Sequence, residues 1–201
     1  GTISGTSISF GSEYVFNSAS TNSTNVAFDP STAGVFVVTY IDAGNSSAAT
    51  AEVGTVSGTS ISFGSAVVFT AKLPAAHAAP LAFNQNKAGS FVIVYKDASS
   101  PYSGYAIAGT VSGTSLSFGS EQVYNAGETY NYNLAFDDNT SGKFVIVYQD
   151  SANSSYGTAI LGQSNTVATN LTSTNFVGIT TAAYTNAETA TIAIQGGLST
   201  N

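Results

Sequence analysis

Apolar residues in this chain come in short runs, separated by stretches rich in Ser, Thr, Asn and Gly. The segment "TNVAFDP" (24–30) predicts a short strand, and the turn "PSTAG" leads from it into "VFVVTYID" (35–42). The later counterparts "FVIVYKD" and "FVIVYQD" are apolar at successive positions, which predicts a strand covered on both faces. The loop "DAGNSS" (42–47) leads to a third strand, "TAEVGTVS" (50–57). A tight "SGTS" turn (57–60) then opens a fourth, "SISFGSAVVF" (60–69). There Ile61 and Phe63 alternate with Ser60 and Ser62, the pattern of a strand with one buried and one wet face. Gly64 interrupts that strand and reads as a bulge.

The same order of strands recurs. "GTISGTSISFGS" (1–12) returns as "GTVSGTSISFGS" (54–65) and "GTVSGTSLSFGS" (109–120). Gly1, Gly54, Gly109 and Gly162 mark intervals of 53, 55 and 53 residues. The extra length of the middle unit falls in one loop, "TAKLPAAHAAP" (70–80), where insertion is tolerated. These features predict an all-β chain of four-stranded antiparallel sheets repeated about every 54 residues. A β-propeller-like array is the first expectation, with a β-solenoid or stacked sandwich as the alternative. The units are 1–53, 54–108 and 109–161. Residues 162–201 lack the FVIVY phrase and read as a β-rich cap or the start of a second module, with strand-like pieces at 175–180 and 189–195. Three units are fewer than a closed propeller uses, and the chain opens in the middle of a unit. It therefore reads either as part of a longer chain or as one of several copies that complete one another.

Charge narrows the functional classes. Only 7% of residues are charged, the net charge is −7, and there is no arginine. Four scattered lysines (Lys72, Lys87, Lys96, Lys143) cannot neutralise a phosphate backbone or hold an anionic membrane surface. No apolar run approaches the roughly 18 residues of a membrane-spanning helix. The absence of cysteine excludes disulfides and thiolate metal sites. Neither nucleic acid nor membrane insertion is expected.

The phrases "TSISFGS", "KFVIVYQD" and "SYGTAILG" (155–162) resemble repeats in large virion proteins of marine tailed phages, of the appendage or tail-fibre-like kind. The segment "TNFVGITTAAYTNAETATIAIQGG" is similar to segments that follow such repeats. The resemblance implies a virion surface component with host-surface contact, and it carries over no functional residue. The first unit departs from it, with "SSAATAEV" (46–53) where the third has "SSYGTAIL".

Candidate chemistry is sparse. The single histidine, His77, lies in the "PAAHAAP" loop, and no G-x-S-x-G elbow accompanies it. Glu13 and Glu121 are repeat equivalents with Ala66 between them, and read as surface positions. No catalytic residue is expected, and no cofactor. Asp42, Asp97 and Asp150 each end a central strand and begin a polar loop; with Asn45 and Asn153 they form a candidate set for a hard cation or for sugar hydroxyls. The competing reading is that each Asp bonds its own loop backbone. No calcium-loop signature is present, so metal binding is left undecided. Tyr102, Tyr105, Tyr130, Tyr132 and Tyr156 lie in or beside loops and offer flat apolar faces with a hydroxyl, suited to sugars or to partner proteins. Five N-x-[ST] sequons, at Asn22, Asn45, Asn139, Asn153 and Asn170, fit the Ser/Thr-rich composition without further meaning.

The expected function is a non-enzymatic appendage module that presents loops at a virion surface or in the extracellular space. Its expected partners are other virion proteins, further copies of itself, or a host-surface glycan. An extracellular filament subunit and a cell-surface adhesin or lectin-type module are the alternatives.

Overall fold

The computed structural model describes residues 2–70, 72, 79–164, 191–194 and 197–200. His77, Asn170 and the strand-like piece at 175–180 lie outside them. The chain forms two compact units, Gly1–Asn165 and Thr166–Asn201. In the second, a hairpin joins β16 (Thr191–Ile194) and β17 (Gly197–Thr200), the former falling within the predicted piece at 189–195.

The first unit is all-β and antiparallel. It opens with a hairpin of β1 (Thr2–Ser4) and β2 (Ser7–Ser9). Sheet I runs β3 (Thr21–Phe28), β4 (Val35–Asp42), β5 (Ala48–Ser57), β6 (Ser60–Phe63), with β7 (Val67–Thr70) also on β5. Sheet II repeats this order with β8 (Leu81–Phe83), β9 (Ser90–Lys96), β10 (Gly104–Ser112) and β11 (Ser115–Phe118), and with β12 (Gln122–Asn125) also on β10. Sheet III has β13 (Thr129–Phe136), β14 (Lys143–Asp150) and β15 (Tyr156–Gln163).

The expected four strands per unit are thus five, five and three among the described residues. The extra strand arises where a single fourth strand with a bulge was expected. The chain breaks at Gly64, whose N–H donates to the Val53 carbonyl at 2.8 Å, and its continuation pairs again with β5. The break has a packing cause. A Cβ on Gly64 would overlap the Thr114 carbonyl, in the β10–β11 turn of the next sheet. Gly11 meets Thr59 in the equivalent place. These turns are two-residue loops with glycine first, Gly58 and Gly113 both at φ 61, as a type II′ hairpin requires.

The glycine that opens each repeated phrase also has a local cause. Gly54, Gly109 and Gly162 stand directly opposite Phe36, Phe91 and Phe144 across the strand pair. Each phenyl ring lies over its glycine, so that a Cβ there would overlap the ring. Each ring also meets a second phenylalanine from the neighbouring strand: Phe28, Phe83 or Phe136, with centroids 5.2–5.3 Å apart.

Consecutive sheets pack face to face. Phe91, Ile93 and Tyr95 of β9 share one core with Val37, Ile41, Ala51 and Val53 of sheet I. From the other face of β9, Val92 and Val94 pack with Leu134, Phe144, Ile146 and Tyr148 of sheet III. Backbone and side-chain bonds lock the stack at the β3–β4 turn. Asp29 is buried and accepts from Ser31 N at 2.9 Å and from Gly89 N of sheet II at 3.0 Å. Ser31 Oγ donates to the Gln85 carbonyl, and Asn86 Nδ2 donates to that of Asp138.

One expectation needs correction here. The FVIVY strand is covered on both faces in β4 and β9, but in β14 Val145 and Val147 are exposed. Within the first unit the described residues supply no sheet over that face.

Candidate functional site

The loops that follow β4, β9 and β14 stand at equivalent positions in the three sheets. Each begins with an aspartate that closes an Asx turn. Asp42 accepts from Gly44 N at 2.9 Å, Asp97 from Ser99 N at 2.8 Å, and Asp150 from Ala152 N at 3.0 Å. In the first and third loops Asn45 and Asn153 lie within a short 3-10 turn that ends in left-handed Ser46 and Ser154. Each aspartate thus serves its own loop, and Asp150 also accepts from Asn125 Nδ2 of β12 at 3.5 Å. Among the described residues no three acidic or histidine side chains gather as a metal-holding group.

The tyrosines divide. Tyr132 belongs to the core between sheets II and III, where burial pushes its hydroxyl up to about 12. Tyr105 stacks on Tyr95 at 5.8 Å and 13°, with Lys72 Nζ over its ring at 4.4 Å. Tyr156 is exposed, as is much of Tyr102.

Tyr102 and Tyr130 come together around Lys96. This lysine occupies the position held by Ile41 and Gln149 in the other sheets, and it is buried. Its ammonium lies 3.5 Å from the centroid of the Tyr130 ring and 4.9 Å from that of Tyr102. Glu128 Oε1 approaches the ammonium at 3.5 Å and accepts the Tyr130 hydroxyl at 2.5 Å. That hydrogen bond to the carboxylate holds the Tyr130 hydroxyl above its ordinary range. The Tyr102 carbonyl accepts from Thr129 N, tying the sheet II loop to the first strand of sheet III. A buried cation is tolerable here because two aromatic faces and a carboxylate surround it. One face of this group, Tyr102, remains at the surface.

A second ionic group lies in sheet II, near the loop that follows β9. Glu121 accepts from Lys72 Nζ at 2.7 Å and from the Tyr95 hydroxyl, so it is not the plain surface position expected from its repeat equivalents. Burial pushes its carboxyl upward, but hydrogen bonds from Lys72, Tyr95 and Thr70 outweigh that and hold it below the usual range. In sheet I the partner of the equivalent Tyr40 is different. Ala66 stands where Glu121 would, and the buried Glu52 accepts the Tyr40 hydroxyl at 3.5 Å from the neighbouring strand. Burial raises Glu52; burial and that carboxylate raise Tyr40 to about 12.

Sequence reasoning missed Lys96, Glu128 and the Lys72–Glu121–Tyr95 group. The signal for the first was present: one charged residue replaces an apolar or neutral one inside the repeated FVIVY phrase.

No protein-family model matches the chain, and neither a curated protein nor a solved structure matches it.

Proposed function

We propose that the chain is a non-enzymatic, propeller-like repeat module of a virion appendage that presents its loop rim to a host surface. The observation that carries this reading is the rim itself. Three equivalent loops are each braced by an aspartate, and the middle one sets the exposed Tyr102 beside the Lys96–Tyr130–Glu128 group. Stacked sheets form a rigid base for such loops, and tyrosine faces suit sugar rings and protein partners alike. The resemblance of the repeated phrases to virion appendage proteins supplies the setting, at the virion surface or in the extracellular space. Other virion proteins and a host-surface glycan are the proposed partners. The low content of cations supports a partner that is neither nucleic acid nor membrane.

Binding of the chain to whole bacteria and to arrayed bacterial surface polysaccharides tests the reading. Saturable binding is expected, with Tyr156→Ala weakening it about tenfold while the melting temperature holds, and Tyr102→Ala weakening it as much with a lower melting temperature, since it strips one aromatic face from the buried Lys96. Binding to no cell and no glycan, or binding indifferent to both substitutions, would overturn it.

An extracellular filament subunit is the second reading. The apolar outer faces of sheets I and III favour it.

A further inference from the structure

We propose that the outer face of sheet III docks into the open groove of sheet I on a second copy of the chain. This contact deepens the filament reading and depends on the stacking of the sheets, not on the loop rim, so it and the host-surface reading can fail separately.

Sheet I and residues 9–13 enclose a groove of about 800 Å³ whose apolar lining includes Val26, Phe28, Phe36, Val56 and Ile61 and whose one charged side chain is Glu13. Repeat spacing maps these residues onto Leu81, Phe83, Phe91, Val111 and Leu116 of sheet II. In sheet II that same surface is filled, because Val37, Ala51 and Val53 of sheet I share one core with it. The change in exposure is large. Val26 and Phe28 are 60% and 58% exposed, whereas Leu81 and Phe83 are 9% and 6%.

The opposite end of the stack presents the matching surface. Val37, Ala51 and Val53 map onto Val145, Ala159 and Leu161 of sheet III. Val145, Val147 and Leu161 are 42%, 47% and 64% exposed, while Val92 and Val94, the sheet II equivalents of the two valines, are 3% and 0%. One end therefore carries the groove and the other carries the residues that fill that groove inside the chain.

The hydrogen-bonding groups match as well. Asp137 is the equivalent of Asp29, and it already accepts from Asn139 N at 2.9 Å, as Asp29 does from Ser31 N. Docking by the internal geometry would bring its second oxygen to Gly34 N of the second copy, as Asp29 reaches Gly89 N. The contact is heterologous, groove to face, and it continues an interface that the chain already builds twice.

The test is solution mass against concentration for the full 201-residue chain, alongside Val26→Lys, Leu161→Lys and their mixture. Both side chains are exposed, so neither variant threatens the fold, yet each would bury an ammonium among apolar side chains of the contact, a cost that the single carboxylate of the groove, Glu13, offsets only in part. The chain itself is expected to gain mass with concentration. Each variant alone should need at least about tenfold more protein for the same association, a weakening of about 1.4 kcal/mol. The mixture should recover a dimer and stop there, because Leu161→Lys keeps the groove and Val26→Lys keeps the face. A monomer at every concentration would overturn the proposal. Association lost in Val26→Lys but untouched in Leu161→Lys would overturn it in favour of a groove-to-groove dimer.

Discussion

Asn84 stands where Asp29 and Asp137 stand in the other two repeats, and a single substitution there tests the repeat logic. Asp29 uses both carboxylate oxygens, one on Ser31 N within its own turn and one on Gly89 N of the next sheet. Asn84 is 1% exposed and its Oδ1 repeats the first bond, accepting from Asn86 N at 3.0 Å. Its Nδ2 is buried without a partner, at the place where an acceptor is needed for Gly142, the equivalent of Gly89. A buried unsatisfied polar group costs about 1–3 kcal/mol, and a hydrogen bond to a charged acceptor contributes about 1.5–3 kcal/mol. Desolvation of the new carboxylate takes back part of that gain. Asn84→Asp should therefore stabilise the chain by about 1–2 kcal/mol. At about 2–4 °C per kcal/mol for a chain of this size, the melting temperature should rise by about 2–8 °C. The reciprocal Asp29→Asn should lose about 1–3 kcal/mol, since it turns an amide donor toward Gly89 N. Thermal unfolding of both variants at neutral pH, followed by circular dichroism, reads the two effects. A lower melting temperature for Asn84→Asp, or an unchanged one for Asp29→Asn, would refute the reasoning.

Two further predictions follow from the same comparison of repeats. Tyr124 takes the place of Phe16 and Phe69 and buries a hydroxyl without a partner, so Tyr124→Phe should stabilise by about 1 kcal/mol in denaturant unfolding; a loss of stability would show that the hydroxyl has an acceptor. The two buried-side carboxyls should respond to pH with opposite sign. Glu52 is raised by burial, so its ionisation costs stability as pH climbs from the unfolded carboxyl range through its folded pKa; Glu52→Gln should stabilise at pH 7 and make no difference once the pH is below both pKa values. Glu121 is held low, burial notwithstanding, by bonds to Lys72, Tyr95 and Thr70; its contribution is present above the unfolded carboxyl pKa and lost as pH falls through its folded one. Glu121→Gln should therefore destabilise at pH 7 and lose that effect in acid, and a pH series of melting temperatures that moves both variants the same way would contradict the assignments.

The sheets were legible because strand patterning and the repeat agree. Central strand β4 spans Val35–Asp42, as the apolar run does, and the turn at Gly58 has the φ its sequence demands. The first strand was placed too late, since β3 begins at Thr21 in a polar stretch, "TNST", whose pairing with β4 is set by the partner strand and shifts register between Asn22 and Asn25. The break at Gly64 was visible as a glycine, but its cause was not, because the Thr114 carbonyl that excludes a side chain belongs to another repeat. The same limit applies to the site. The Asx turns of Asp42, Asp97 and Asp150 were open to sequence as the competing reading of the cation or sugar candidates, because such a turn is local. Lys96 did not read as the centre of an aromatic group, because Tyr130 and Glu128 reach it from a different sheet. Nor could sequence alone separate β9 from β14, whose apolar runs are nearly the same and whose burial differs only through what stacks on them.

The central claim is that equivalent sheets stack face to face with sheet II in the middle. Native-state hydrogen exchange on the dilute chain tests it most directly. The account predicts that the amides of β9, between two packed faces, exchange slowest, and that those of β14, with one open face, exchange fastest of the three central strands. Protection of β14 equal to that of β9, or exchange of β9 as fast as the loops, would contradict it.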